Sequence, residues 1–378
     1  MARCKNIVTC QQCRARAVQA LVVLLTCVYA LQAQPPASSS VLSTPQAQPR
    51  YDFSSVERLL TDSLAQFQGG CGLLVIKDGE VVYEKTFGKH SLDKPLPIAS
   101  ASKWFAGAVL VSLMDDGLLS PNDTVRKFLP YFMGEKSCIT VRQLMSHTSG
   151  MFGELPAMRN AALTLKQAAL ALGNEPLLYK PGTAFLYGGA SMQVAGRVME
   201  LAAGNVPWET IFQQRIAKPL GLTNTTFYGL GRTNNPLIAG GAQSSAREYA
   251  VFLQMLMNRG VWQGKRILSE QAVGELHRNS VPPVPVMTYT NYVLLPKQPT
   301  EAASYGLGVW RVVNAQTGEL IELHSQGKWG FTPWIDVRRN MIGILSTKST
   351  LRAVMPTYRR LKTLLRFIIP PTMQTAHK

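Results

Sequence analysis

The sequence predicts an α+β fold: an antiparallel sheet flanked by N- and C-terminal helices, with a mostly helical subdomain beside it. Three observations carry this reading. Two β-rich runs flank Asp78-Gly79-Glu80 early in the chain, the long middle, roughly 103–225, is mostly helical in pattern, and strand-like runs return late before a last helix. Strands contributed by both ends of a chain, with helices between, favour one sheet closed by distant segments. Apolar residues make up 46% and charged residues 16% of 378, enough for a packed core, so general disorder is excluded.

Taken in order, residues 1–33 have the pattern of an export signal. Arg3, Lys5, Arg14 and Arg16 precede an apolar run from Ala20 to Ala30, and Ala30 and Ala33 offer cleavage sites. The run is shorter than the roughly 20 apolar residues of a membrane span. A cleaved leader implies a periplasmic protein, an uncleaved one a membrane-anchored protein. Residues 34–50, rich in Pro, Ser and Gln, read as a flexible linker. The leader takes Cys4, Cys10, Cys13 and Cys27, leaving Cys71 and Cys138 to pair if an oxidising compartment and their separation allow it. No second linker follows, so 51–372 form a single catalytic domain with a helical insertion at about 103–225, and 373–378 form a tail.

Within that domain, apolar residues at 56, 59, 60, 64 and 67 have helical spacing. Residues 73–77 and 81–86 around an Asp-Gly turn predict a hairpin. Residues 102–115 form a helix burying Phe105, Val109, Leu110, Leu113 and Met114. Strands follow at 306–313, 320–324, 332–337 and 341–347. The last segment, 358–369, is a helix with apolar residues at 361, 364, 365 and 368. Its apolar face is expected to pack on the core. The six basic and no acidic residues of 351–378 also suit peripheral contact with an anionic membrane.

The whole chain has 39 Lys+Arg against 22 Asp+Glu, a formal charge of +17. The basic residues do not form runs with interleaved aromatics, and no zinc-finger, RRM or P-loop spacing occurs, so nucleic acid is not an expected partner. His90, His277 and His377 lack ligand spacing and there is no H-E-x-x-H, so no metal or cofactor is expected. The G-x-S-x-G turn of α/β-hydrolases is missing as well.

Chemistry concentrates at Ser100-Ala101-Ser102-Lys103, where an extended run gives way to a helix. A serine and a lysine three apart on a helical turn project to one side and can share a proton. Serine becomes a nucleophile once a base removes that proton, and an uncharged amine can serve. Free N–H groups at the helix start favour the negative charge that develops there.

Four further segments follow: Leu144-Met145-Ser146-His147-Thr148-Ser149-Gly150-Met151, then Pro181-Gly182-Thr183-Ala184-Phe185-Leu186-Tyr187-Gly188-Gly189, then Ala239-Gly240-Gly241-Ala242-Gln243-Ser244-Ser245-Ala246, and His324-Ser325-Gln326-Gly327-Lys328-Trp329-Gly330. With S-x-x-K, in this order, they resemble the serine β-lactamase and penicillin-binding protein superfamily, above all class C β-lactamases, D-alanyl-D-alanine carboxypeptidases and family VIII carboxylesterases. The resemblance runs from about residue 52 to 369 and implies the β-lactamase/transpeptidase-like fold. It also implies Ser100 as nucleophile, Lys103 as the lysine beside it, and Tyr187 as the proton-relaying tyrosine of a Y-x-N motif. His324 takes the first position of the K-T-G box. The His324-Ser325-Gln326 backbone would then complete an oxyanion hole with the Ser100 N–H.

Two departures set the expected substrate. Gly189 replaces the asparagine of Y-x-N, removing an amide that would grip a peptide or β-lactam carbonyl. His324 replaces the lysine of K-T-G, removing a fixed positive charge, and Gln326 stands where glycine is expected. The expectation is an exported hydrolase of an ester, amide or D-amino-acid peptide, with cell-wall-derived substrates among the candidates. A class C-type β-lactamase, a D-Ala-D-Ala carboxypeptidase and an idle penicillin-binding-like sensor remain alternatives. Plainer roles stand beside these: Tyr187 as a core aromatic, His324 as a strand histidine at a cleft rim, and His147 as structural. Trp104, Trp329 and Trp334 suit an acyl pocket or the core equally.

Overall fold

A computed structural model describes residues 51–288 and 300–372. The expected leader, linker and tail (1–33, 34–50 and 373–378) lie outside the described residues. In order along the chain the strands are β1 (Gly70–Lys77), β2 (Glu80–Gly88), β3 (Leu96–Pro97), β4 (Phe185–Leu186), β5 (Gln243–Ser244), β6 (Val261–Trp262), β7 (Lys265–Arg266), β8 (Val286–Thr288), β9 (Glu301–Tyr305), β10 (Trp310–Asn314), β11 (Leu320–His324), β12 (Thr332–Asp336) and β13 (Met341–Thr347). Seven of them form the main sheet in the order β2-β1-β13-β12-β11-β10-β9, each pair antiparallel.

The sheet is buried on both faces, and residue alternation along its central strands divides the core in two. Leu74 and Ile76 of β1, Ile335 of β12, and Ile342 and Ile344 of β13 join one core with Trp104, Phe105, Tyr249 and Phe252 from the helical lobe. Cys71, Leu73 and Val75, with Trp334, Met341 and Leu345, join the other. That second core is closed by helix Ser54–Asp62, through Val56, Leu59 and Leu60, and by helix Leu351–Ile368, through Val354, Tyr358, Leu361 and Leu365. Two-sided burial explains why β1 is a continuous apolar run instead of an alternating one.

The fold class expected from sequence is therefore present: mixed helix and sheet, with a large antiparallel sheet in the β-lactamase/transpeptidase arrangement. The Asp78-Gly79 hairpin joins β1 to β2, and the strands expected at 320–324 and 341–347 are β11 and β13. Differences have local causes. The expected 306–313 strand begins only at Trp310, because Gly306-Leu307-Gly308 turns beneath helix Ser102–Asp115. A Cβ on Gly308, at φ +91°, would stand 2.3 Å from the Lys103 carbonyl oxygen. Strand β9 was not anticipated, since Glu301–Tyr305 is short and alanine-rich. Helices Ala246–Met257 and Glu270–His277 extend the helical part past 225. Cys71 is buried in β1 and Cys138 is exposed, and both are free. Among the described residues no helix is long and apolar enough to cross a membrane.

Helix Ser102–Asp115 is buried along nearly its whole length, so its seat is set by close contacts. At Gly107 a Cβ would stand 2.0 Å from the Leu307 carbonyl oxygen, a backbone atom that cannot swing aside. Gly107→Ala is expected to destabilise the protein by about 1–3 kcal/mol through overpacking, measured as a lower midpoint in denaturant. An unchanged midpoint would contradict this account of the seat.

Candidate active site

Ser100 lies in a tight turn, Ala99–Ala101, that runs directly into helix Ser102–Asp115. Ala99 holds a left-handed φ of 46°, a conformation costing a non-glycine residue on the order of 1 kcal/mol. Neighbours hold the turn in place. Ser102 Oγ donates to the Ala99 carbonyl at 2.6 Å and accepts from the Ala242 N–H at 3.0 Å. The Ile98 N–H donates to the Ala242 carbonyl, and β3 pairs with β5. The Ala239–Ala246 segment is thus the clamp of the serine turn.

Lys103 is 3% exposed. Its Nζ stands 3.1 Å from Ser100 Oγ and donates to the Ala239 carbonyl at 2.8 Å. It also lies 4.8 Å from the centre of the Tyr187 ring. The Ser100, Lys103 and Tyr187 side chains, chosen from sequence, therefore meet in one place.

Tyr187 directly follows strand β4, which is bonded on both sides. The Leu186 N–H donates to the His147 carbonyl and the Phe185 N–H to Pro285, while β4 pairs in parallel with β8. Just beyond, the N–H groups of Gly189 and Ala190 both donate to the Gly153 carbonyl. A Cβ on Gly188 would stand 2.1 Å from that oxygen, so this approach requires glycine there. At Gly189 a Cβ would stand 2.3 Å from Met158 Cε and 3.2 Å from Ala239 Cβ. Packing thus fills the space in which an asparagine side chain would begin.

An aromatic box supports the tyrosine. Tyr187 lies 4.6 Å from the His147 ring, 5.3 Å from Trp310 and 6.1 Å from Tyr305 between ring centres. His147 Nε2 and the Tyr305 hydroxyl are hydrogen-bonded at 3.2 Å, and His147 Nδ1 is buried without a partner. Burial holds the His147 imidazole well below its ordinary range. Burial, with Tyr187 beside it, pushes the Tyr305 phenol well above its own. Trp310, Tyr305 and the Ala239 carbonyl were not singled out from sequence: aromatic residues on strands read as core, and a backbone acceptor carries no residue signature.

Of the His324-Ser325-Gln326 box, Ser325 touches the serine turn directly, donating its Oγ–H to the Ser100 carbonyl at 2.9 Å. His324 pairs with Trp310 across β10 and β11, the rings nearly parallel at 6.5 Å, so it reaches Tyr187 through that indole. Burial pulls His324 down to about 4 against the opposing Glu322 carboxylate, and the ring is uncharged at neutral pH. The N–H groups of Ser325 and Gly327 donate towards β12, to Pro333 and Phe331, which turns the intervening Gln326 N–H to the other side. The Gln326 side chain is buried, its carbonyl oxygen unpartnered. Trp104 and Trp334 are core residues, the former donating its indole N–H to His277. No group of three or more metal-ligating side chains occurs among the described residues.

A serine turn clamped against a buried lysine, at the junction of an antiparallel sheet and a helical lobe, defines the class as a serine-hydrolase scaffold. The chain belongs to the Beta-lactamase family, whose model matches residues 56–362; its members include serine esterases, amidohydrolases and carboxypeptidases. A solved structure described as "putative beta-lactamase" from Bacteroides dorei DSM 17855 is 31% identical, with a TM-score of 0.74, over 83% of this chain and 98% of that one. "Protein flp" of Staphylococcus aureus (strain N315) is 29% identical over 181 residues, 44% of this chain and 36% of its own length. An Escherichia coli (strain K12) protein named "Putative D-alanyl-D-alanine carboxypeptidase" is 28% identical over 218 residues, 50% of this chain and 48% of its own. The matches thus span less than half the length of these curated relatives.

The His324 shift has a measurable consequence. Its folded-state value of about 4 lies below the ordinary 6.5, so between these values the unfolded chain binds the extra proton. The stability from an uncharged ring is complete above about pH 6.5 and is lost as pH falls towards 4, on the order of 3 kcal/mol. His324→Gln is expected to flatten the dependence of unfolding free energy on pH in that window. An unaltered slope would refute the assignment.

Proposed function

We propose that this protein is an exported serine hydrolase that forms an acyl-enzyme on Ser100 and cleaves an ester, an amide or a D-amino-acid peptide. The observation that carries the reading is the 3.1 Å approach of Lys103 Nζ to Ser100 Oγ, with Nζ fixed by the Ala239 carbonyl beside Tyr187.

In this mechanism Ser100 Oγ attacks the substrate carbonyl carbon while its proton passes to Lys103 Nζ. A bond forms between Oγ and carbon, and the carbonyl oxygen takes the negative charge, held by the N–H groups of Ser100 and Gln326. The proton moves by way of Tyr187 to the leaving oxygen or nitrogen as its bond to carbon breaks. Water then attacks the acyl-enzyme and gives a proton to the same pair. The proton returns to Oγ as the acid departs.

Two features support ranking ester or peptide hydrolysis above β-lactam hydrolysis. Gly189 and Met158 leave no amide beside Tyr187, and the uncharged His324 brings no positive charge to meet a substrate carboxylate. Likeness to the Escherichia coli protein supports a D-amino-acid peptide derived from the cell wall among the candidates.

A fluorophosphonate probe is expected to label the wild type and not Ser100→Ala. Lys103→Ala is expected to lower kcat/KM for p-nitrophenyl butyrate at least about a hundredfold; full turnover by that variant would overturn the general-base role. Hydrolysis of a chromogenic cephalosporin as fast as the ester would reverse the substrate ranking.

A further inference from the structure

We propose that Glu154 selects the substrate, favouring one that carries an ammonium group next to its scissile carbonyl. This deepens the reading of Ser100 as nucleophile and rests on it.

The argument begins at Gly189, two residues beyond Tyr187. Its missing side chain is replaced by atoms of the 153–158 segment: a Cβ there would meet Met158 Cε at 2.3 Å and, at 3.5 Å, Glu154 Oε1. The carboxylate therefore stands close to the corner that a Y-x-N amide would occupy.

That placement is built into the backbone. Gly153, adjacent in sequence, accepts from both Gly189 and Ala190, so Glu154 is tied to the segment that carries Tyr187. Met158 is tied back in turn, its N–H donating to the Leu155 carbonyl and its sulfur accepting from the Leu155 N–H at 3.4 Å. Arg159 Nη2 holds Glu154 Oε2 at 2.8 Å, while Oε1, the oxygen nearer Gly189, makes no hydrogen bond among the described residues.

An amide offers both donor and acceptor; an ionised carboxylate only accepts. A substrate acylamido carbonyl at this corner would face the lone pairs of Oε1, whereas an ammonium would form a charge-assisted hydrogen bond with it. The nearby box position supplies no competing charge for a substrate carboxylate, since His324 is uncharged. The recognition expected is thus opposite in sign to that of a site built for acylated amines. Glu154 is 57% exposed on its side chain, so solvent limits the expected discrimination to about tenfold.

The test compares D-alanine methyl ester with N-acetyl-D-alanine methyl ester by pH-stat at about pH 6.5, where the α-amine is charged. The ratio of kcat/KM, free amine over acetylated, is expected to exceed one in the wild type and to fall about tenfold in Glu154→Gln, with Glu154→Asp retaining most of it. An unchanged ratio, or a parallel loss on both esters, overturns this inference and leaves the Ser100 reading standing. A wild type that fluorophosphonate labels but that turns over neither ester overturns the substrate class. A wild type inert to both esters and to the probe overturns the two together.

Discussion

The site is organised around one demand: a lysine amine must be held, almost without solvent, beside a serine hydroxyl. Lys103 has no ion-pair partner among the described residues; a backbone carbonyl, a hydroxyl and an aromatic face surround it instead. Much of the neighbouring chain can be understood as meeting that demand. The left-handed Ala99 turns Ser100 towards the lysine, the Ala239–Ala246 segment supplies the acceptor and clamps the turn, and Gly107 and Gly308 let the helix settle on a bare backbone.

Most of the sheet other than β9, the hairpin, the first and last helices and the serine turn are legible in the sequence, because period-2 and period-3.6 patterns and a Ser-x-x-Lys spacing are local signals. Three parts of the site are not. Ala239 holds Lys103 through its carbonyl, which any residue could supply. Trp310 and Tyr305 sit on strands where an aromatic is ordinarily core, and only the meeting of β10 with β4 brings them to Tyr187. The part played by Gly189 depends on Met158, thirty-odd positions earlier, and no local pattern reports such a contact. His147 bonds the Tyr305 hydroxyl, and its ring contact with Tyr187 adds a neighbour that a turn motif does not disclose.

The neighbourhood of Tyr187 and the His324-Ser325-Gln326 segment also holds polar atoms that the interior does not satisfy. His147 Nδ1, His324 Nδ1 and the Gln326 carbonyl oxygen are all buried without a hydrogen-bond partner. Such groups cost about 1–3 kcal/mol each. The two apolar cores on either side of the sheet offset that cost.

The order β2-β1-β13 places Cys71 opposite Thr347, so among the described residues a strand near the start must meet one near the end before the sheet can close. Loop-closure entropy over that separation makes assembly slow and leaves the apolar hairpin uncovered while the helical lobe is still being synthesised. Pairing across so long a separation is expected to be among the last contacts that this chain makes.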